Sequence, residues 1–384
     1  MKNIGLIIHA KADYGGVYQY SKSMADALSL NNEFNLILFT EEENDVRFDN
    51  YDCEIRKYSK PSYGISHKLI SYLSLLSKYI RNKYLSDEEY KIFKDIDLFI
   101  CPTPSFYPLY FLNTPFLFTL HDTQERYFPG YFSFREKLRR RLVNKGLSKT
   151  SAGIICESNS VKEDVKAFFD IKEEKIHVIQ APPPQKFLDY EFDDTCFEKV
   201  RNKYQLKQRY IFYPAHTWYH KNHIRLLEAF NLLKNKFPKL KLVLSGAKKN
   251  NFKKIKEKIN EFNLNSRVIY LGYVDYEDLP YIYKMSEMLV MPTLFESISI
   301  PIYEAFSLKV PVCCSNVTGL PEQVGNAALI FDPYDIKDIA EKISELLMNE
   351  ELATEIGKKG YSRITDMTHQ EYARNLKSII STVL

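Results

Sequence analysis

The sequence predicts two doubly wound α/β domains, each a parallel sheet with helices on both faces. Three observations predict it. The chain has 384 residues, enough for two domains of ordinary size. Short apolar runs of strand length alternate with longer amphipathic stretches throughout, the pattern of strand–helix–strand units. At Ala181, Pro182, Pro183 and Pro184 the alternation stops, since successive prolines continue neither strand nor helix, and beyond a polar stretch it restarts. The expected division is 1–184, 185–365 and a terminal segment 366–384, with strand carboxyl ends facing a central cleft.

In the first half, Ile4 to Ile8, Phe34 to Phe39, Leu98 to Cys101, Phe116 to Leu120, Gly153 to Cys156 and His177 to Ile179 read as strands. Tyr18 to Leu30, Ser66 to Tyr84 and Phe134 to Leu147 read as helices between them. In the second half the strands are Tyr210 to Tyr213, Leu240 to Ser245, Val268 to Leu271, Met288 to Met291, Val310 to Cys314 and Ala328 to Phe331. Its helices are Ile224 to Leu233, Asn251 to Glu261, Pro280 to Lys284, Pro301 to Ser307 and Ile336 to Met348.

Hydrophobic residues at 45% and charged residues at 27% are those of a soluble globular protein, and a net charge of +4 is too small to imply nucleic acid. The cysteines show no metal-ligand spacing, and those in apolar runs fit buried, reduced thiols. The first nine residues are too short for a signal peptide, and no apolar run approaches the ~20 residues that span a bilayer. The expected location is cytoplasmic.

The most informative stretch is 290–306, VMPTLFESISIPIYEAF. An apolar run ends at Met291, a polar turn follows, and Pro301 opens a helix where its missing N–H is not needed. Glu296 then lies on the loop and Glu304 about one turn into the helix. The N–H groups of Ser297, Ile298, Ser299 and Ile300 lie between them, where a helix start favours an anion. Two carboxylates flanking a phosphate site suit a sugar nucleotide, with Glu304 accepting from ribose hydroxyls and Glu296 from those of a hexose.

This segment resembles the E-x7-E motif of the retaining glycosyltransferases of family 4. The similarity continues in VIYLGYVDYEDL (268–279), VPVCCSNVTGLPE (310–322) and GNAALIFDP (325–333), and in FYPAHTWYHKNH (212–223), a variant of the family's phosphate loop. Gly15, Gly16, His121, Asp122 and Ser158 match N-terminal landmarks. It departs from the family in reading Glu296, Ser297, Ile298, Ser299 where Glu-Gly-Phe-Gly is common, and in carrying His216 where many members have arginine.

The resemblance implies a GT-B fold and metal-independent transfer of a hexose from a nucleotide-sugar to a saccharide acceptor in cell-surface polysaccharide synthesis, with no cofactor. It implies catalytic roles for His121, Lys221 and Glu296, and donor contacts from Gly15, Gly16, His216, Lys221 and Glu304. It also implies that 370–384 crosses back to the first domain. His121 would bond a sugar hydroxyl or steady developing positive charge; the bland reading is a satisfied histidine beside an Asp122 helix cap. Lys221 would clamp the leaving diphosphate, helped by His216 if protonated. The histidines of this loop match no common zinc signature. Two other functions remain open: a sugar-nucleotide-binding partner subunit without catalysis, and a nucleotide-sugar epimerase.

The segment 135–145, REKLRRRLVNK, has a double reading. With Leu138, Leu142 and Val143 on one face it is a solvated helix packed on its sheet. Alternatively Arg139, Arg140 and Arg141, with Tyr131 and Phe132, form a peripheral contact at the inner face of the plasma membrane, suited to a polyprenyl-linked acceptor.

Overall fold

Strand-length apolar runs buried on both faces are the composition of a parallel sheet under helices. The computed structural model describes residues 1–9, 15–41, 51–58, 91–104, 114–188 and 190–384. The expected helix 66–84 lies outside these. The chain forms two compact units, Met1–Pro182 with Met367–Leu384, and Pro183–Asp366.

The first unit carries β1 (Lys2–Ile8), β2 (Phe34–Glu41), β3 (Glu54–Tyr58), β4 (Leu98–Cys101), β5 (Phe116–Thr119), β6 (Gly153–Cys156) and β7 (Ile176–Val178). They pair in parallel in the order β3-β2-β1-β4-β5-β6-β7. Its helices include α1 (Gly16–Ser29), α2 (Gln124–Tyr127), α3 (Phe134–Thr150) and α4 (Asn159–Phe169). Successive side chains of a strand point to opposite faces, so each run feeds two cores. Ile4, Leu6, Ile8, Leu36, Leu38, Leu98 and Ile100 pack with Tyr20, Met24 and Leu28 of α1. Ile7, Ile37, Phe39, Phe99 and Phe118 pack with Val143 and Leu147 of α3 and Val161, Val165 and Phe169 of α4. The edge strand β3 was not expected, because its sequence EIRKY is largely polar.

The second unit carries α5 (Asp194–Lys203), β8 (Tyr210–Pro214), α6 (His223–Leu233), β9 (Lys241–Ser245), α7 (Phe252–Glu261), β10 (Val268–Tyr270), α8 (Leu279–Lys284) and β11 (Met288–Met291). There follow α9 (Ile300–Ser307), β12 (Val312–Ser315), α10 (Leu320–Val324), β13 (Leu329–Phe331), α11 (Ile336–Met348) and α12 (Glu350–Ile364). The strand order is β10-β9-β8-β11-β12-β13, again all parallel. Order reverses between β8 and β11, so the loops leaving their carboxyl ends part to opposite faces and leave a crevice. Gly246 follows β9 at φ 119, and a Cβ there would lie 2.7 Å from the carbonyl group of Ala215. Only glycine lets the loops after β8 and β9 come so close.

Among the described residues no helix is long and apolar enough to cross a membrane. All six cysteines are free, and Cys101, Cys156, Cys313 and Cys314 are buried.

After α12 the chain re-enters the first unit as α13 (His369–Val383). Tyr372, Leu376, Ile379 and Ile380 join the cluster that holds Met24 and Leu28 of α1. Leu376 is fully buried. Leu376→Ala should therefore cost about 2–5 kcal/mol, the range for a buried leucine cavity. Hydrogen exchange should show lost protection in the first unit with the second unchanged; an equal loss in both would refute this placement of α13.

Candidate functional site

Lys221 and Glu296 lie on the two loops that flank the order reversal of the second unit. Met288 of β11 pairs with Ile211 of β8, so the loops leave from adjacent strand ends. The Lys221 ammonium and Glu296 carboxylate form a salt bridge, with side-chain exposures of 17% and 20%. Both loops are pinned. Asn222 adopts φ 56, a left-handed conformation asparagine tolerates, and its Nδ2 donates to the carbonyls of Pro292 and Pro333, each at 2.9 Å. The Leu294 N–H donates to the His220 carbonyl at 2.7 Å, and the Tyr213 hydroxyl to the Lys221 carbonyl at 2.7 Å. The Glu296 N–H donates to Thr318 Oγ1 at 3.1 Å, tying in the loop after β12.

Pro301 stands in the first turn of α9, as expected. The N–H groups before it are not all open. Ser299 N–H donates to Gln323 Oε1 at 2.9 Å, and Gln323 Nε2 returns a bond to the Ser299 carbonyl at 2.9 Å. Ser297 and Ser299 are buried, while Ile298 and Ile300 are half-buried. Ser299 therefore ties the start of α9 to α10. Nothing local in the sequence pairs it with Gln323, 24 residues on.

Glu304 is buried, with Tyr283 donating to its Oε2 at 2.6 Å. Burial pushes its carboxyl up to about 7, and the Tyr283 bond pulls in the opposite direction. Tyr283, on α8, was not singled out in the sequence.

The three histidines of the loop after β8 act differently from a cationic cluster. His216 Nδ1 accepts the Ala247 N–H at 2.8 Å, so that nitrogen carries no proton and the ring is neutral. The condition set for its help on a phosphate, protonation, is not met in this arrangement. Burial, with Lys221 nearby, pushes His220 down to about 2 and His223 down to about 3. Lys221 is the cation of this loop. Among the described residues no group of three or more His, Cys, Asp or Glu side chains could hold a metal ion.

In the first unit, Gly15 and Gly16 follow β1 and are exposed. Gly15 precedes α1 at φ 61 and ψ −125, a conformation reserved for glycine. Ser158 caps α4 by accepting the Val161 N–H. His121 follows β5. Its Nδ1 is 2.7 Å from Glu157 Oε2, and its Nε2 is 2.8 Å from the Pro102 carbonyl oxygen. Both ring nitrogens are thus occupied within the protein.

Helix α3 also departs from expectation. Arg140 is not a surface charge: it bonds the Asp122 carboxylate and the fully buried Glu125 at 2.9 Å, and its guanidinium lies 5.2 Å from the centre of the Phe132 ring. Arg141 is half-buried and Arg139 exposed. Val143 and Leu147 supply the packed face, whereas Phe134, Leu138 and Leu142 are exposed at 76%, 47% and 41%. Tyr131 is exposed and stacks on Phe128.

Two family models match the chain: Glycosyltransferase Family 4 over residues 14–182 and Glycosyl transferases group 1 over 196–363. The chain is 39% identical over 166 residues to O-antigen chain mannosyltransferase B of Escherichia coli, covering 41% of this chain and 43% of that one. It is 24% identical over 250 residues to O-antigen chain mannosyltransferase RfbU of Salmonella typhimurium, covering 64% of each. The chain thus spans less than half of the first of these relatives and just under two thirds of the second. Sucrose-phosphate synthase from Thermosynechococcus elongatus aligns with TM-score 0.78 at 20% identity, over 100% of this chain and 99% of that one. Anabaena Alr3699/HepE, solved with UDP and glucose, aligns with TM-score 0.76 at 14% identity over the whole of both. At those identities the likeness shows the fold, two Rossmann-like units of GT-B type.

The raised carboxyl of Glu304 links stability to pH. A folded value near 7 against an ordinary 4.5 gives a contribution fully present below 4.5 and lost as pH rises through 7. By about pH 8 the loss is on the order of 3 kcal/mol. Glu304→Gln still accepts from Tyr283 and does not titrate. Its stability relative to wild type should rise between about pH 5 and 8 in denaturant melts; parallel curves would show that Glu304 is ionised at no unusual cost.

Proposed function

Because the chain belongs to glycosyltransferase family 4, the group 1 glycosyl transferases, we propose that it is a retaining transferase that moves a hexose from a nucleotide-sugar to a saccharide acceptor in polysaccharide synthesis. The relatives named as O-antigen chain mannosyltransferases favour mannose as that hexose and a growing surface polysaccharide as acceptor.

One observation carries the reading: the Lys221–Glu296 pair at the strand reversal of the second unit. Each charge is held by the other, and a nucleoside diphosphate sugar would replace both halves of the pair at once. Its diphosphate takes Lys221, and its sugar hydroxyls donate to the released Glu296. Glu304, at the first turn of α9, accepts from the ribose hydroxyls. The acceptor hydroxyl oxygen bonds the anomeric carbon on the face the diphosphate leaves, and its proton passes to the departing phosphate oxygen. Configuration is kept. Charge grows on the diphosphate in the transition state, so Lys221 stabilises that state beyond the ground state. No metal or cofactor has a part in this scheme.

A second contact is favoured by a specific observation. Phe134, Leu138 and Leu142 lie four residues apart on one side of α3 and are exposed, with Arg135, Arg139 and Lys145 beside them. An apolar stripe bordered by cations fits the interface of an anionic bilayer, where a polyprenyl-linked acceptor would reside.

Lys221→Met should lower kcat roughly 100- to 1000-fold, as for loss of one donor aimed at developing negative charge, with a smaller change in donor affinity. The assay is transfer from a panel of nucleotide sugars, with the anomeric configuration of the product read by NMR. Turnover near the wild-type rate would remove Lys221 from the chemistry, and an inverted product would end the retaining assignment.

The wild-type chain should sediment with anionic liposomes at low salt and release at high salt, as each surface cation contributes about 1 kcal/mol within a Debye length. Leu138→Ser/Arg139→Glu should bind weakly. Neutral liposomes binding as well, or the variant binding fully, would refute this contact.

A further inference from the structure

His121 follows β5 and reaches a group beyond each neighbouring strand: Glu157 after β6 through Nδ1, and the Pro102 carbonyl after β4 through Nε2. A carbonyl oxygen only accepts, so Nε2 carries a proton. An ionised carboxylate only accepts as well, so Nδ1 carries one too. Neutral imidazole has a single N–H; filling both bonds takes the imidazolium.

The surroundings agree. Burial disfavours charge on His121, but the bond and charge of Glu157, the Pro102 carbonyl and Asp122 outweigh it and hold the ring above its ordinary value. Asp122 is itself paired with Arg140. From α1, the Tyr20 ring meets the imidazole edge-on at 4.8 Å, and its hydroxyl pairs with Thr119. Burial raises the phenols of Tyr20 and of Tyr372 on α13, so both stay neutral. Glu157 is the anion that sets the charge of this ring.

We propose that Glu157 is a positioning residue that locks His121 as an imidazolium with both N–H groups turned into the protein. Held so, the ring has no lone pair with which to accept a proton or a hydroxyl hydrogen. It offers a fixed positive charge, and it is the outer member of the pair, 20% exposed against 8% for Glu157. Such a charge attracts anionic oxygen and opposes positive charge on a bound sugar. The effect on transfer rests on the function proposed above; the protonation state does not.

The test is the long-range proton–nitrogen NMR spectrum of the full chain, with His121 assigned by its loss in His121→Asn. At about pH 7.5, above the ordinary imidazole value, wild type should show two protonated ring nitrogens, Glu157→Gln a neutral ring, and Glu157→Asp an intermediate titration. In parallel, the alkaline limb of the kcat profile should move to lower pH in Glu157→Gln. A neutral His121 ring in wild type at that pH overturns the proposal whether or not the variants fold. A ring titration unmoved by Glu157→Gln overturns it too, and an unmoved alkaline limb overturns the positioning role. A doubly protonated ring in a chain that transfers no sugar overturns the proposed function and leaves the pairing standing.

Discussion

Parallel strands send every connecting loop from the same edge of a sheet, and that single constraint orders the chemistry of both units. Where strand order reverses, two such loops are neighbours with no helix between them. In the second unit they carry Lys221 and Glu296, both mostly covered. A covered charge without a partner would cost several kcal/mol, so opposite charges at this spot are each other's condition for being there. Glu304, one turn into α9, is buried with a phenol for a partner; burial raises its carboxyl and the Tyr283 bond opposes the rise. Of two glutamates eight residues apart, one is thus held by a cation and the other by a phenol.

In the first unit the corresponding edge is organised by charge pairing too. Arg140 reaches from α3 to Asp122 and Glu125, and Glu125 has no exposure of its own. Removing the guanidinium would strand that carboxylate, a loss of roughly 3–5 kcal/mol, whereas the exposed Arg139 one position earlier contributes within about 0.5 kcal/mol. Adjacent arginines on one helix therefore divide between holding the His121 loop and facing solvent.

Much of this was legible from residues. Runs such as Leu98 to Cys101, Gly153 to Cys156 and Met288 to Met291 match their strands at both ends, because buried parallel strands are continuously apolar. Ile336 to Met348 matches its helix likewise. What escaped were β3, α2, α4, α5, α10 and α12; β3 is largely polar and α12, EELATEIGKKGYSRI, buries only Ile356, Gly357, Gly360 and Ile364, whereas α4 is well buried but short. At the site, the spacing of Glu296 and Glu304 could be read, since both lie on one loop and helix. The pairings Ser299–Gln323, Tyr283–Glu304 and His121–Glu157 could not, because each joins residues 21 to 36 apart through the tertiary fold. The same limit hid the inward turn of Arg140.

The return of α13 to the first unit has a consequence for biosynthesis. A ribosome delivers the chain in order, so the strands of the first unit emerge well before Tyr372, Leu376, Ile379 and Ile380, which complete their core. Between the two, all of Pro183–Asp366, a compact unit of its own, is made. The usual order, in which the amino-terminal domain folds first, is therefore inverted at the final step. The second unit can close while the nascent first unit still exposes the apolar side of α1. Over that interval the unfinished surface around Met24 and Leu28 is what a chaperone would meet.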